Sequence, residues 1–183
     1  GRGVRQDQAE AAKWFRKAAE QGYAKAQLEY GHMFGSGTVF SKNDVGAAKW
    51  YRKAALQGLA GAQVYFGFMY EKGTGIPLDQ TLAVEWYRKA AEQRDPMAQY
   101  SLGEMYRIGL GVHKNHTIAA KWYEKAAEQG LANAQFSLGL LYKAGQGVSR
   151  DIVLAHMWFN LAASRGYKDG GKYRTRASTE MTP

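Results

Sequence analysis

An all-α solenoid of helix pairs is the fold class that this 183-residue sequence predicts, and three observations predict it. The five tryptophans, Trp14, Trp50, Trp86, Trp122 and Trp158, stand 36 residues apart. Each lies in a recurring word, which in the second copy runs Ala47-Ala48-Lys49-Trp50-Tyr51-Arg52-Lys53-Ala54-Ala55. A glycine-rich turn and then an Asp or Asn recur at constant distances ahead of that word. Self-similarity at a fixed step of this size marks an array in which each unit buries its apolar face only against its neighbours.

Each unit opens on a turn. Gly73-Thr74-Gly75-Ile76, Gly109-Leu110-Gly111-Val112 and Gly145-Gln146-Gly147-Val148 align with Gly1-Arg2-Gly3-Val4. Glycine supplies the positive φ that such a turn requires. The second copy, Gly37-Thr38-Val39-Phe40, lacks the second glycine, so a different turn shape is expected there. Three residues past the apolar position stand Asp7, Asn43, Asp79, Asn115 and Asp151, which can accept hydrogen bonds from the free amides of a helix start.

The helix that follows (helix B of each unit) carries Ala47, Trp50, Tyr51, Ala54 and Ala55 at i, i+3, i+4, i+7 and i+8, one helical face. Its alanines permit close approach, and the tryptophan is expected to fill the remaining core volume. Gly22, Gly58, Gly130 and Gly166 are expected to end it in the left-handed conformation. The third unit has Arg94-Asp95-Pro96 there, an aspartate cap followed by proline at the first helical position. Helix A spans Ala26 to Phe34 and its copies. It keeps Gly31, Gly67, Gly103 and Gly139 mid-helix, where each costs about 1 kcal/mol relative to alanine. A close contact that a methyl group would obstruct is the expected reason.

Together, Gly-x-Gly-Val, the capping aspartate, Ala-x-x-Trp-Tyr, the Ala-Ala pair and Ala-Gln-x-x-Leu-Gly-x-x-Tyr resemble the Sel-one-like repeat family, a bacterially well-represented relative of the tetratricopeptide repeats. The resemblance implies a right-handed superhelix acting as an adaptor for other proteins, without catalytic residues or a cofactor. Residues 1–183 then read as a single array of about five helix pairs whose first repeat is incomplete. Beyond Gly166 the pattern fails, and Met157 and Leu161 replace charged residues of the earlier copies. Residues 167–183 are therefore expected to form an atypical C-terminal cap.

The absence of cysteine excludes disulfides and thiolate metal sites and leaves both secreted and cytosolic locations open. No apolar run is long enough to span a bilayer. His113 and His116 are a close histidine pair without a third ligand nearby, so no metal site is expected. The Gly-x-Gly turns lack the lysine and strand of a phosphate loop. No activated nucleophile is evident, nor the paired-helix cysteines of the branch of the family associated with penicillin binding. An enzyme is not expected.

The net charge of +9 suits an acidic partner. Lys13, Arg16, Lys17, Lys49, Arg52, Lys53, Arg88, Lys89, Lys121 and Lys125 flank the tryptophans, a ridge that offers nucleic-acid binding as the alternative function. Glu85 and Glu124 interrupt it, and a solvated outer face is the simpler reading. The expected site instead lies on helix A positions where the copies differ: Leu28, His32, Val64, Phe68, Glu71, Tyr100, Glu104, Arg107, Phe136, Leu140 and Lys143. These point away from the shared core ridge, and by resemblance they line a concave peptide-binding groove. Tyr100 and Phe136 are its expected exposed anchors. The expected partner is then a protein or peptide, with nucleic acid on the basic ridge as the alternative.

Overall fold

The computed structural model describes residues 8–181, and among these it contains ten α-helices and no strand. They are α1 (Gln8–Glu20), α2 (Ala24–Ser36), α3 (Asp44–Leu56), α4 (Ala60–Lys72), α5 (Gln80–Glu92), α6 (Pro96–Ile108), α7 (His116–Glu128), α8 (Ala132–Ala144), α9 (Ile152–Ser164) and α10 (Gly170–Met181). The chain divides into two compact units, Gly1–Ala90 and Ala91–Pro183, with the boundary inside α5. In the first, α1 packs on α2, α2 on α3, and α3 on α4. In the second, α6 through α10 pack each on the next.

The caps act as their residue types require. Asn43, Asp79, Asn115 and Asp151 accept from the amides of Gly46, Leu82, Ile118 and Leu154 at 2.8, 2.9, 3.0 and 2.9 Å. The first turn and Asp7 lie outside the described residues. Asp95 accepts from Ala98 N, and Pro96 opens α6. Gly22, Gly58, Gly130 and Gly166 all have positive φ, and Arg94 takes the same left-handed conformation at φ 66°.

The core corrects one expectation. Its fully buried aromatic side chains are Tyr87, Tyr123 and Phe159, each following a tryptophan, while Trp14 is 64% exposed. Trp50, Trp86, Trp122 and Trp158 are half-buried. The mid-helix glycines explain the exchange. A Cβ on Gly31, Gly67, Gly103 or Gly139 would lie 2.7, 3.0, 2.6 or 2.7 Å from the ring of Tyr51, Tyr87, Tyr123 or Phe159. Each ring occupies the space that a side chain on the preceding helix would fill, so burial offsets the helix cost of the glycine. The tryptophan is left at the margin, edge-on to Tyr30 or Phe66 at 5.2 Å.

Buried glutamines tie the two helices of each pair. Nε2 of Gln27, Gln63, Gln99 and Gln135 donates to the carbonyls of Ala19, Ala55, Ala91 and Ala127. These carbonyls belong to last helical turns, which have no intrahelical donor. Gln57 and Gln129 then donate to Oε1 of Gln27 and Gln99, both at 2.8 Å.

In the second unit, α10 packs on the Ala155, Phe159 and Ala162 face of α9 through Ala177 and Tyr173. Gly170 permits the approach, since a Cβ there would lie 2.6 Å from Ala163 N. Met157 and Leu161 remain exposed, so the apolar stripe of α9 is not what α10 covers.

Candidate peptide-binding surface

The first unit holds a cavity of about 380 Å³, lined by His32, Tyr51, Tyr65, Phe68 and Met69 together with Ser36, Lys42, Asp44 and Thr74. It exists because of Gly35. The counterparts of Gly35 are Glu71, Arg107 and Lys143, and a Cβ at Gly35 would already lie 3.4 Å from the Tyr51 hydroxyl. His32 meets Tyr51 and Tyr65 edge-on at 5.4 and 4.5 Å, and Tyr51 and Tyr65 stack at 5.3 Å. Its Nε2 is buried without a hydrogen-bond partner among the described residues, and Nδ1 lies 3.6 Å from Glu29. Lys42 and Asp44 pair at 3.4 Å. Burial, then the neighbouring Tyr65, Glu29 and Asp44, hold the Tyr51 phenol above its ordinary range, so it remains a neutral donor.

The other expected residues of this unit are less open. Leu28 is half-buried against the α3–α4 core, and Val64 is half-buried on α4. Phe68 and Tyr65 are 45% and 44% exposed, the open aromatic wall of the cavity. Glu71 accepts from the Tyr87 hydroxyl at 2.7 Å and from Lys72 at 2.6 Å.

In the second unit, Glu104 accepts from the Tyr123 hydroxyl and from Arg107 Nη2 and Nε at 2.6 and 3.2 Å. Burial and that carboxylate push the Tyr123 phenol up, and the same carboxylate raises Arg107 further. Tyr100 is half-buried and tilts against Tyr123 at 5.7 Å. Leu140 packs partly buried on the α9–α10 core, and Lys143 pairs with Glu180 of α10 at 2.6 Å.

Phe136 departs from the expectation of an exposed anchor. It is 8% exposed, stacked on Tyr167 at 4.4 Å and edge-on to Tyr173 at 5.0 Å. The tail after α9 brings both tyrosines over it, so truncating Phe136 removes core packing rather than an open contact.

The ridge lysines have packing partners. Nζ of Lys17, Lys53, Lys89 and Lys125 lies over the ring of Trp14, Trp50, Trp86 and Trp122 at 4.9, 4.2, 4.2 and 4.2 Å. The half-exposed indole is thereby covered by a cation three residues on. Among the described residues no helix is long and apolar enough to cross a membrane, and no group of three His, Cys, Asp or Glu is placed to hold a metal ion.

Tyr65 and the glutamine ties escaped the sequence reading. Tyr65 stands where the other copies have Glu29, Ser101 and Ser137, so its aromatic character was the available signal. The glutamines recur at a constant place in every helix A, but a conserved-looking amide does not announce which carbonyl it meets.

Five consecutive Sel1 repeats match at residues 1–23, 24–59, 60–95, 96–131 and 132–167. The protective antigen c5321 of uropathogenic Escherichia coli, which displays an SLR fold, is 39% identical with a TM-score of 0.88. That match covers 91% of this chain but 36% of that one, so the present chain spans about a third of its length. A Sel1 repeat protein from Oxalobacter formigenes is 38% identical with a TM-score of 0.88, over 94% of this chain and 68% of that one. Cysteine-rich protein B of Helicobacter pylori is 32% identical with a TM-score of 0.53, over 67% and 93%. No curated protein matches the chain significantly. Sel1 repeats are generally non-catalytic scaffolds that mediate protein interactions. With repeats matched over most of its length, and two structures of that class near 40% identity, this chain belongs to the Sel1 repeat family.

Proposed function

We propose that the chain is a non-catalytic adaptor that holds an extended segment of a partner protein against A helices, α2 and α4 of the first unit. The observation that carries this reading is the aromatic wall of the first unit. Phe68 and Tyr65 stand open over a largely apolar cavity of about 380 Å³, large enough for one side chain of a partner. Exposed rings around a cavity are what an interface anchor needs, because burying them on binding gains area without first disrupting the core. Within the second unit, Tyr100, Glu104 and Arg107 offer a separate and more polar surface on α6. In the same proposal residues 167–183 terminate the array, α10 covering the face of α9 that a further repeat would otherwise meet.

The test is selection of phage-displayed peptides on the full chain, followed by affinity measurement on Phe68→Ser. Loss of a buried aromatic anchor is expected to weaken the selected peptides about thirtyfold, with the melting temperature little changed. Peptides indifferent to both Phe68→Ser and Tyr100→Ala would sink the reading, as would a selection that enriches nothing.

A further inference from the structure

The chain supplies its own carboxylate to two of the three B-helix tyrosines that follow an A helix. In the first unit, Glu71 takes the Tyr87 hydroxyl at 2.7 Å on one oxygen and Lys72 at 2.6 Å on the other. In the second, Glu104 takes the Tyr123 hydroxyl and Arg107 in the same way. The fourth copy has Phe159 in place of the tyrosine. There Lys143, the counterpart of Glu71 and Arg107, holds Glu180 at 2.6 Å, with Arg150 at 3.3 Å from the same carboxylate.

The copy around Tyr51 is the exception. His32 and Gly35 occupy the places from which Glu104 and Glu71 reach their tyrosines. Among the described residues nothing hydrogen-bonds the Tyr51 hydroxyl, which borders the cavity that Gly35 leaves open. Lys42 lines the same cavity, and Lys72 and Arg107 are the cations that pair with the carboxylates of the other copies. Tyrosine hydroxyl, a lysine and vacant volume are all present, and Asp44, which also lines the cavity, pairs with Lys42 without a hydrogen bond to the hydroxyl.

We propose that this cavity receives a glutamate side chain from an acidic segment of the partner protein. The Tyr51 hydroxyl donates to the carboxylate, Lys42 pairs with it, and the glutamate methylenes lie against Tyr65 and Phe68. The net charge of +9 favours such a partner. Asp44 competes for Lys42, and Glu29 lies beyond His32, so a single glutamate binds modestly and acts as one anchor of a longer segment. The inference rests on the adaptor reading and sharpens it to a chemical class.

The experiment titrates the full, isotope-labelled chain with an acetylated and amidated Gly-Leu-Glu-Leu-Gly peptide, followed by amide NMR shifts. The same peptide with Gln or Lys in place of Glu serves as control. Shifts centred on Gly35, Tyr51 and Tyr65 are expected for the Glu peptide, with binding at least about fivefold weaker for the other two. Tyr51→Phe should weaken the Glu peptide by about as much. Gly35→Glu should abolish binding while leaving the fold intact, because its Cβ would sit at 3.4 and 3.6 Å from its nearest neighbours and its carboxylate would fill the cavity from within. Equal binding of the Gln peptide at these residues overturns the carboxylate inference while leaving the adaptor reading standing. No shift at the cavity at about 10 mM peptide, or unchanged binding by Gly35→Glu, also overturns it.

Discussion

Tyr87 and Trp86 adjoin in sequence but differ in what they hold together. The Tyr87 ring is 1% exposed and lies on the backbone of Gly67, whereas Trp86 packs edge-on to Phe66 with Lys89 over its face. Tyr87→Ala should therefore cost about 3–5 kcal/mol, since it empties a fully enclosed site and leaves Glu71 without the hydroxyl it accepts from. Trp86→Ala should cost less, about 1–3 kcal/mol. Urea denaturation of both variants decides the point, and a larger loss for Trp86 would return the tryptophan to the centre of the core.

Helix α10 is held at its far end by charge. Glu180 meets Lys143 of α8 and Arg150 of the turn before α9. The hydrogen bond from Lys143 holds the Glu180 carboxyl below the ordinary carboxylate range, ahead of the smaller contribution of Arg150. Because the folded value is the lower one, this attachment is complete above the ordinary carboxylate range and is lost as pH falls through the lowered value. Lys143→Met should raise the Glu180 titration toward the ordinary range, read by carboxyl-carbon NMR. An unmoved titration would mean that the pair does not persist in solution. The apolar attachment through Tyr173 and Ala177 is independent of it.

Over the whole molecule, positive charge is spread along the B helices, but four of its lysines cover tryptophan faces. Exposed cation–π contacts contribute roughly 0.5–1 kcal/mol each, so Lys53→Glu with Lys89→Glu should lower stability by about 1–2 kcal/mol and leave partner binding unchanged. The same pair tests the nucleic-acid alternative. RNA binding that falls steeply with salt and disappears on reversal would favour that alternative, since phosphate contacts release counterions. The adaptor reading expects no such binding at physiological salt.

The amino-acid sequence by itself determined the helix-pair repeat, its 36-residue step, the caps at Asn43, Asp79, Asn115 and Asp151, and the glycine turns. These are local consequences of periodicity, side-chain acceptors and allowed φ, repeated often enough to read directly. It also marked the mid-helix glycines as places of close approach. Tertiary structure decided what approached them. Tyrosine rather than tryptophan fills the notch, because the ring one residue later points at the bare backbone. Tertiary structure likewise buried Phe136 beneath Tyr167, the last residue of the fifth matched repeat, and Tyr173, which lies beyond it. And it opened the cavity beside Tyr51, where one missing side chain at Gly35 has a consequence that depends entirely on what the neighbouring helix aims at it.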